Sequence, residues 1–525
     1  MLPVPSLTSY DLGSIPSEAP SMTVVTRIAP SPTGDPHVGT AYVGLFDYVL
    51  AKQGNGRFIF RLEDTDRQRY DPKSERRILS AMDWLGLTPD EGPEVGGNNG
   101  PYRQSERLDL YRNHAELLLE SGCAYRAFET DDELESMAHK QKQLGQPQGY
   151  DGRGRNLARN EQERRATEGE PHVIRFKAPD EGETRFIDSL RGEIRWPHTE
   201  IRDAVLLKSD GYPTYHFAVV VDDHLMGVTH VVRAEEWISS TALHIHLYRS
   251  FGWQQPEFLH LPLLRNLDKS KISKRKTDTS LESYREQGII PEALLNYLAT
   301  LGWSMPDGRE FFGIHDMIEH FTLKRLSPGE PIFDSKRLRH FNAKYLREIF
   351  SLENLAVRVE PLFVKAGYKW SDEDYLLDVI DVLRPRTETL IDFVDPARDF
   401  FDSGFPYEDD ALKRLFAGQK YLEDLERRLS ILEFYDYDSI DDLLRDYVQS
   451  QAVSMSKVLQ PLRAALTGRS QAPGVTDLLT ILGKQTALGR ISRALQVINA
   501  GLLDDRPQKE PGSNDSNKKA KTADQ

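Results

Sequence analysis

The feature that most constrains this chain is an alternation of patterns near its start. "TVVTRI" is a β-branched run, "PSPTGDP" carries turn chemistry, and Val38, Tyr42, Phe46 and Val49 then recur at helical spacing until "GNG" closes the pattern. A second strand, "RFIFRLED", ends in carboxylates, and Asp71-Pro72 opens a helix with Ile78, Met82 and Leu85 on its apolar face. Strand and helix in alternation predict a parallel, doubly wound α/β sheet. Such sheets take ligands beyond the carboxyl ends of their strands, which gathers the Pro-Gly turn, His37, Glu63, Asp64 and Asp66 around one cleft. Backbone amides at a helix start, a glycine that permits close approach and a histidine donor suit a nucleotide phosphate. The same pattern fits an ordinary capped turn with an incidental histidine.

A chain of 525 residues exceeds a single hydrophobic core, and its length suggests roughly three to four domains. No apolar run approaches the ~20 residues of a membrane span, so no membrane role is expected. One cysteine, Cys123, allows no internal disulfide and no thiolate cluster, which fits a reducing compartment and a cytoplasmic protein. A formal charge of −15 argues against a uniformly basic binder, so a nucleic-acid partner must be met by local positive patches. Residues 1–22 lack Lys and Arg and any continuous apolar core, matching neither a secretory nor a transit peptide. They read as a disordered extension, with Met22 as an alternative start. Residues 504–525 read as a solvated tail.

A second cationic site lies at "LPLLRNLDKSKISKRKTD", where Lys269, Lys271, Lys274, Arg275 and Lys276 follow a strand-like run ending near Leu264. Such a loop can clamp a triphosphate, and a Lys-rich loop is also an ordinary solvated surface. Together the two segments are specific. "PSPTGDPHVGT" resembles the first class I aminoacyl-tRNA synthetase motif, and "KISKR" resembles the second, in the expected order. With "RIAPSPTG", "RLEDTD", "GYPTYHFAVVVDDHLMGVTHVVRAEEW" and "LNYLATLGW", the stretch from about Thr23 to about Ile498 resembles the bacterial glutamyl-tRNA synthetases.

That resemblance implies a glutamate pocket of Arg27, Ala29, Ser31, Glu63, Tyr215, Val219 and Arg233. An amino acid with two carboxylates and one ammonium calls for two cations and one anion, which Arg27, Arg233 and Glu63 provide. Which arginine takes the side-chain carboxylate is left open. It also implies ATP contacts from His37, Gly39, Glu236, Leu264, Lys271, Ile272, Ser273, Lys274 and Arg275, with catalysis by positioning and charge from His37, Lys271, Lys274 and Mg²⁺. The reaction the resemblance implies activates glutamate to an adenylate and then transfers it to the terminal ribose of glutamate tRNA. A resident zinc is not expected.

The expected organisation is a Rossmann-type catalytic domain in two halves, 23–108 and 209–305, interrupted by a tRNA acceptor-binding α+β insertion at 109–208. A stem-contact region at 306–350, which includes "SKRLRHFNAKYLRE", precedes all-α anticodon-binding domains at 351–503. In the insertion, Arg153, Arg155, Arg159, Arg164 and Arg165 read equally as phosphate contacts or as a solvated helix face. His244 and His246 sit two apart on a helical pattern, point to different sides and read as structural. In the helical end, Val458, Leu462 and Leu466 make one core stripe, and Leu488, Ile491, Leu495 and Ile498 another. Arg386 matches an arginine that in discriminating family members reads the third anticodon base, which implies an enzyme that charges glutamate tRNA and not glutamine tRNA. The alternatives are a non-discriminating enzyme and a non-catalytic tRNA-binding protein. The family expectation is a monomer.

Overall fold

The computed structural model describes residues 23–272, 279–402 and 404–501. The chain divides into two compact units at Asn342/Ala343, inside the stretch 306–350 that the sequence suggests as one region.

The first unit begins with β1 (Val25–Ile28), α1 (Val38–Gln53), β2 (Arg57–Phe60), α2 (Pro72–Leu85) and α3 (Leu108–Glu120). It continues with β3 (Ala124–Ala127), α4 (Asp131–Gln143), α5 (Arg159–Thr167), β4 (Val173–Phe176), β5 (Glu183–Asp188), β6 (Gly192–Pro197) and β7 (Val205–Leu207). Then come α6 (Tyr215–Leu225), β8 (His230–Ala234), α7 (Ile238–Phe251) and β9 (Glu257–Leu261). Among the described residues no strand follows Leu261, and none of the helices is long and apolar enough to cross a membrane.

β1 and β2 are parallel, as are β8 and β9. The two pairs are joined through Thr229, whose N–H donates to Val25 O (2.9 Å), whose Oγ1 accepts from Val25 N (2.8 Å) and whose O accepts from Glu257 N (2.8 Å). Helix α1 forms where expected, with Val38, Tyr42, Phe46 and Val49 all buried. It ends at "GNG" because the chain must turn hard against β1: a Cβ on Gly56 would lie 1.7 Å from Val24 O, so only glycine fits. Asp71 caps α2 by accepting from Lys73 N, with Pro72 in the first turn.

The strands of residues 109–208 fall in two sheets. β3, β4 and β7 form their own antiparallel sheet, but the β5–β6 hairpin joins the β8–β9 pair, with Asp188 of β5 opposite Phe258 of β9. Tyr111, Ala115 and Leu118 of α3 share one core with Phe217 and Val220 of α6.

The second unit is helical: Leu352–Lys365, Glu373–Leu383, Val394–Phe401, Asp409–Ile431, Tyr437–Ser450, Met455–Thr467 and Val475–Asn499. Val458, Leu462 and Leu466 are buried along one face of their helix; Ile491, Leu495 and Ile498 are buried too, with Leu488 half-buried beside them. Arg490, buried among these stripes, donates to the carbonyls of Asp399, Leu466 and Asp402.

Candidate active site

A cleft of about 410 Å³ opens at the carboxyl ends of β1, β2 and β8. It is lined by the turn from Arg27 to His37, by Gly39 and Asp47 of α1, by Glu63 after β2, by Tyr215 at the start of α6, by Arg233 near the end of β8 and by Trp237 after it. Of the proposed glutamate contacts, the structure therefore brings Arg27, Ala29, Ser31, Glu63, Tyr215 and Arg233 to one cavity. Val219 is packed in the core on α6 and is not among the lining residues.

His37 caps α1: its Nδ1 accepts from Gly39 N at 3.0 Å. That bond places the ring proton of the neutral imidazole on Nε2, making it a donor at a helix N-terminus. A Cβ at Gly39 would sit 2.7 Å from the imidazole Cε1, so a side chain there would displace the ring.

Beneath the cleft lies a network of buried charge that the sequence reading did not assemble. Asp223 Oδ1 accepts from Arg27 Nε (3.1 Å) and Arg61 Nη1 (2.7 Å), and Arg61 Nη2 donates to Glu63 Oε1 (3.2 Å). Asp222 takes Arg107 Nε (2.7 Å), Gln104 Nε2 (2.9 Å) and the Tyr111 hydroxyl (2.8 Å). Arg61 is fully buried. Burial pushes the Glu63 carboxyl up to about 7, against the pull of Arg61 and Arg27. Burial likewise raises Asp47 well above the carboxylate range, against the pull of the Arg27 charge and of the Arg27 backbone N–H.

Arg233 differs from Arg27 and Arg61. It is buried, yet among the described residues no carboxylate forms an ion pair with it. Its acceptors are neutral: Nε donates to His260 Nε2 (3.1 Å), Nη1 to His244 Nδ1 (3.2 Å), and Nη2 to Thr241 Oγ1 (2.8 Å) and Trp237 O (3.4 Å). A buried guanidinium with positive charge still unmatched, facing a cavity, is a seat for a carboxylate. His244 is thus tied to Arg233, while His246 turns to Thr184 Oγ1 (2.7 Å), so the two point apart as expected.

A model of the tRNA synthetases class I (E and Q) catalytic domain matches residues 23–340, and an anticodon-binding domain model matches residues 354–495. The glutamate–tRNA ligase of Thermus thermophilus is 54% identical over 472 residues, covering 90% of this chain and all of that one. The chain belongs to the class I glutamate–tRNA ligase family. The ligase of Deinococcus radiodurans is 48% identical over 91% of this chain and 99% of its own. The crystal structure of a glutamate tRNA ligase from Elizabethkingia meningosepticum in complex with its amino acid superposes with a TM-score of 0.82 at 35% identity, covering 91% of this chain and 100% of that one.

A class I ligase of this family carries two signature segments, and here the chain that follows the second is bonded to the first. Thr279 O accepts from Val38 N (3.1 Å), and Leu281 N donates to Pro36 O (3.0 Å), so the chain returns from the second segment onto the first. Ser273, Lys274 and Arg275 lie outside the described residues, as do 1–22 and 504–525. The visible start of the loop carries Ile272, whose N–H donates to Leu264 O (3.3 Å), and Lys271, which forms an ion pair with Glu236. Leu264 is buried and Glu236 exposed; neither lines the main cleft.

In the ligase insertion every arginine of the basic run has a carboxylate partner: Arg153 with Asp151, Arg155 with Asp203 and Asp180, Arg159 with Glu163, Arg164 with Glu161 and Glu168, and Arg165 with Glu170. Arg155 also donates to Ala178 O, which marks it as a structural clamp. In the second unit Arg386 is exposed and donates to Ala472 O (2.8 Å). It stands close enough to Arg463 that, after burial, its charge helps lower the Arg463 guanidinium below its ordinary value, and Arg414 adds to the effect.

Proposed function

We propose that this chain attaches L-glutamate to the 3′ end of glutamate tRNA in two steps. The glutamate α-carboxylate attacks the α-phosphate of ATP and pyrophosphate leaves; a hydroxyl of the terminal adenosine ribose then attacks the mixed anhydride and AMP leaves. The carrying observation is Arg233, a buried cation held by neutral acceptors in the cleft of a chain 54% identical to a glutamate–tRNA ligase over that ligase's full length.

In this reading Arg233 receives the substrate side-chain carboxylate, Glu63 the ammonium, and Arg27 with Ser31 the reacting end. A neutral amide in place of that carboxylate leaves the buried guanidinium without a counter-charge, which selects glutamate over glutamine without editing. His37 offers its Nε2–H and the α1 N-terminus to the phosphates, with Lys271 and Lys274 supplying cations from the other segment. For Lys271 this requires leaving Glu236. Mg²⁺ enters with the ATP phosphates as part of that substrate.

Arg386 supports a preference for glutamate tRNA, since an arginine held by a backbone carbonyl keeps its other N–H groups for bidentate base contact, worth ~1–3 kcal/mol of discrimination. The test is charging of separately purified glutamate and glutamine tRNAs with labelled glutamate. Charging of glutamate tRNA alone is expected; charging of both removes the anticodon gate, and charging of neither removes the enzyme.

A further inference from the structure

Arg233 must meet two conflicting demands. It has to be held rigidly, which takes hydrogen-bond acceptors, and it has to keep its charge for a substrate, which rules out a carboxylate in direct contact. The structure resolves this with a relay. Asp188, at the end of β5, is fully buried, and its Oδ1 accepts from Leu190 N (3.0 Å) and Arg191 N (2.9 Å). Its Oδ2 accepts from the backbone N–H of His260 (3.0 Å) and lies 2.7 Å from His260 Nδ1. On the far side of the same ring, His260 Nε2 lies 3.1 Å from Arg233 Nε.

The proton positions follow from the partners. An arginine Nε only donates, so His260 Nε2 must be a lone pair; the ring proton is then on Nδ1 and is given to Asp188. The same logic runs through α7 and α6. Arg233 Nη1 donates to His244 Nδ1, so His244 carries its proton on Nε2 and donates to His216 Nδ1 at 3.1 Å. Both rings have to stay neutral, because a second proton on either would set donor against donor at Arg233. Burial, with Arg233 adding to it, holds His244 well below the ordinary histidine range and takes His216 down to about 4; burial lowers His260 as well, despite Asp188.

We infer that Asp188 and His260 form a tautomer lock that positions Arg233 to take the glutamate carboxylate. Asp188 is thus a positioning residue in the β5–β6 hairpin that joins the catalytic sheet at Asp188–Phe258. The inference rests on the glutamate-binding reading above. It explains why a hairpin inside the insertion is built into the catalytic sheet: its last residue sets the acceptor face of a histidine one strand away.

The test uses the full chain and two readouts. In protein labelled with [15N]histidine, the His260 resonances, identified by their loss in His260→Gln, should show a protonated Nδ1 and an unprotonated Nε2, the less common neutral tautomer in water. In tRNA-dependent pyrophosphate exchange, Asp188→Asn turns a donor towards the ring and should raise the glutamate KM roughly 10- to 100-fold, the range of one lost hydrogen bond to a charged group. The ATP KM and kcat should stay within about three-fold. His260→Leu should match Asp188→Asn, whereas His260→Gln, which can still present a carbonyl oxygen to Arg233, should recover most of the affinity. A His260 proton on Nε2, an unchanged glutamate KM in Asp188→Asn, or parallel losses in glutamate and ATP KM would overturn the lock. Inactivity of the wild-type chain towards glutamate would instead remove the underlying reading, and the proposed role with it.

Discussion

The buried charges under the cleft are interdependent, and Asp223→Asn exposes this most directly. The substitution keeps the shape and one acceptor oxygen but removes the charge that Arg27 and Arg61 share at 3.1 and 2.7 Å. As drawn, Arg27, Arg61 and Arg107 face Glu63, Asp222 and Asp223; the variant leaves three cations against two anions, with Arg61 fully buried. Leaving a buried charge without its partner costs about 3–5 kcal/mol. At about 2 °C per kcal/mol for a domain of this size, the first unit should melt roughly 6–10 °C lower, as read by scanning calorimetry. A second signature separates charge from packing. Asp223 is one of the groups that raise Glu63, so the variant should also move the Glu63 titration, followed by the pH dependence of glutamate binding, to lower pH. Asp109→Asn, which breaks the exposed Arg112 pair, is the control and should leave the melting temperature unchanged. A shift in Asp223→Asn no larger than the control's, or a Glu63 titration that moves upward, would refute the argument.

Three further outcomes are expected. Glu63 holds its proton up to about 7, and a substrate ammonium needs the ionised form, so kcat/KM for glutamate should fall as pH drops from 8 to 6 while the ATP KM stays level; a flat glutamate profile would remove Glu63 from the site. Gly39→Ala drives a methyl into the His37 ring, so adenylate formation should slow at least ten-fold with the melting temperature nearly unchanged, the cap alone being worth ~1 kcal/mol; unaltered kinetics would free His37 of its role. Burial favours the neutral form of the Asp47 carboxyl, which Asp47→Asn mimics, so the melting temperature at neutral pH should stay within about two degrees of the parent; a marked decrease would make Asp47 a required counter-charge to Arg27.

Local signals carried the frame of this site. Turn residues and helical spacing set β1, the capped turn and α1 in their correct order, and Asp71-Pro72 marked the start of α2, because such features depend on neighbours within a few residues. The charge network was hidden for the opposite reason. Arg61 and Asp223 are 162 residues apart, and nothing within "VVVDDHL" itself shows that the fold brings Arg61 against its acids. His260 lies in an apolar strand, and nothing near it in the sequence announces Asp188, 72 residues earlier. The basic run of the insertion illustrates the converse: five arginines that read as a possible phosphate surface prove to be paired, mostly with acids a few residues away. Composition reports charges, but only geometry reports which of them remain to be met.

The Thr229 bridge also sets a timetable. Val25 reaches its partner only after 204 further residues have been added, and Thr229 in turn waits for Glu257. At ~5–20 residues per second on the ribosome, β1 and β2 stand roughly 10–40 s with one edge uncovered. The three-stranded sheet of β3, β4 and β7 lies wholly within that interval and pairs only with itself, so it is free to form first. Birth of the cleft is therefore a late event in synthesis, and truncation anywhere before Leu281 leaves a chain that contains the first signature segment but lacks the backbone that bonds to it.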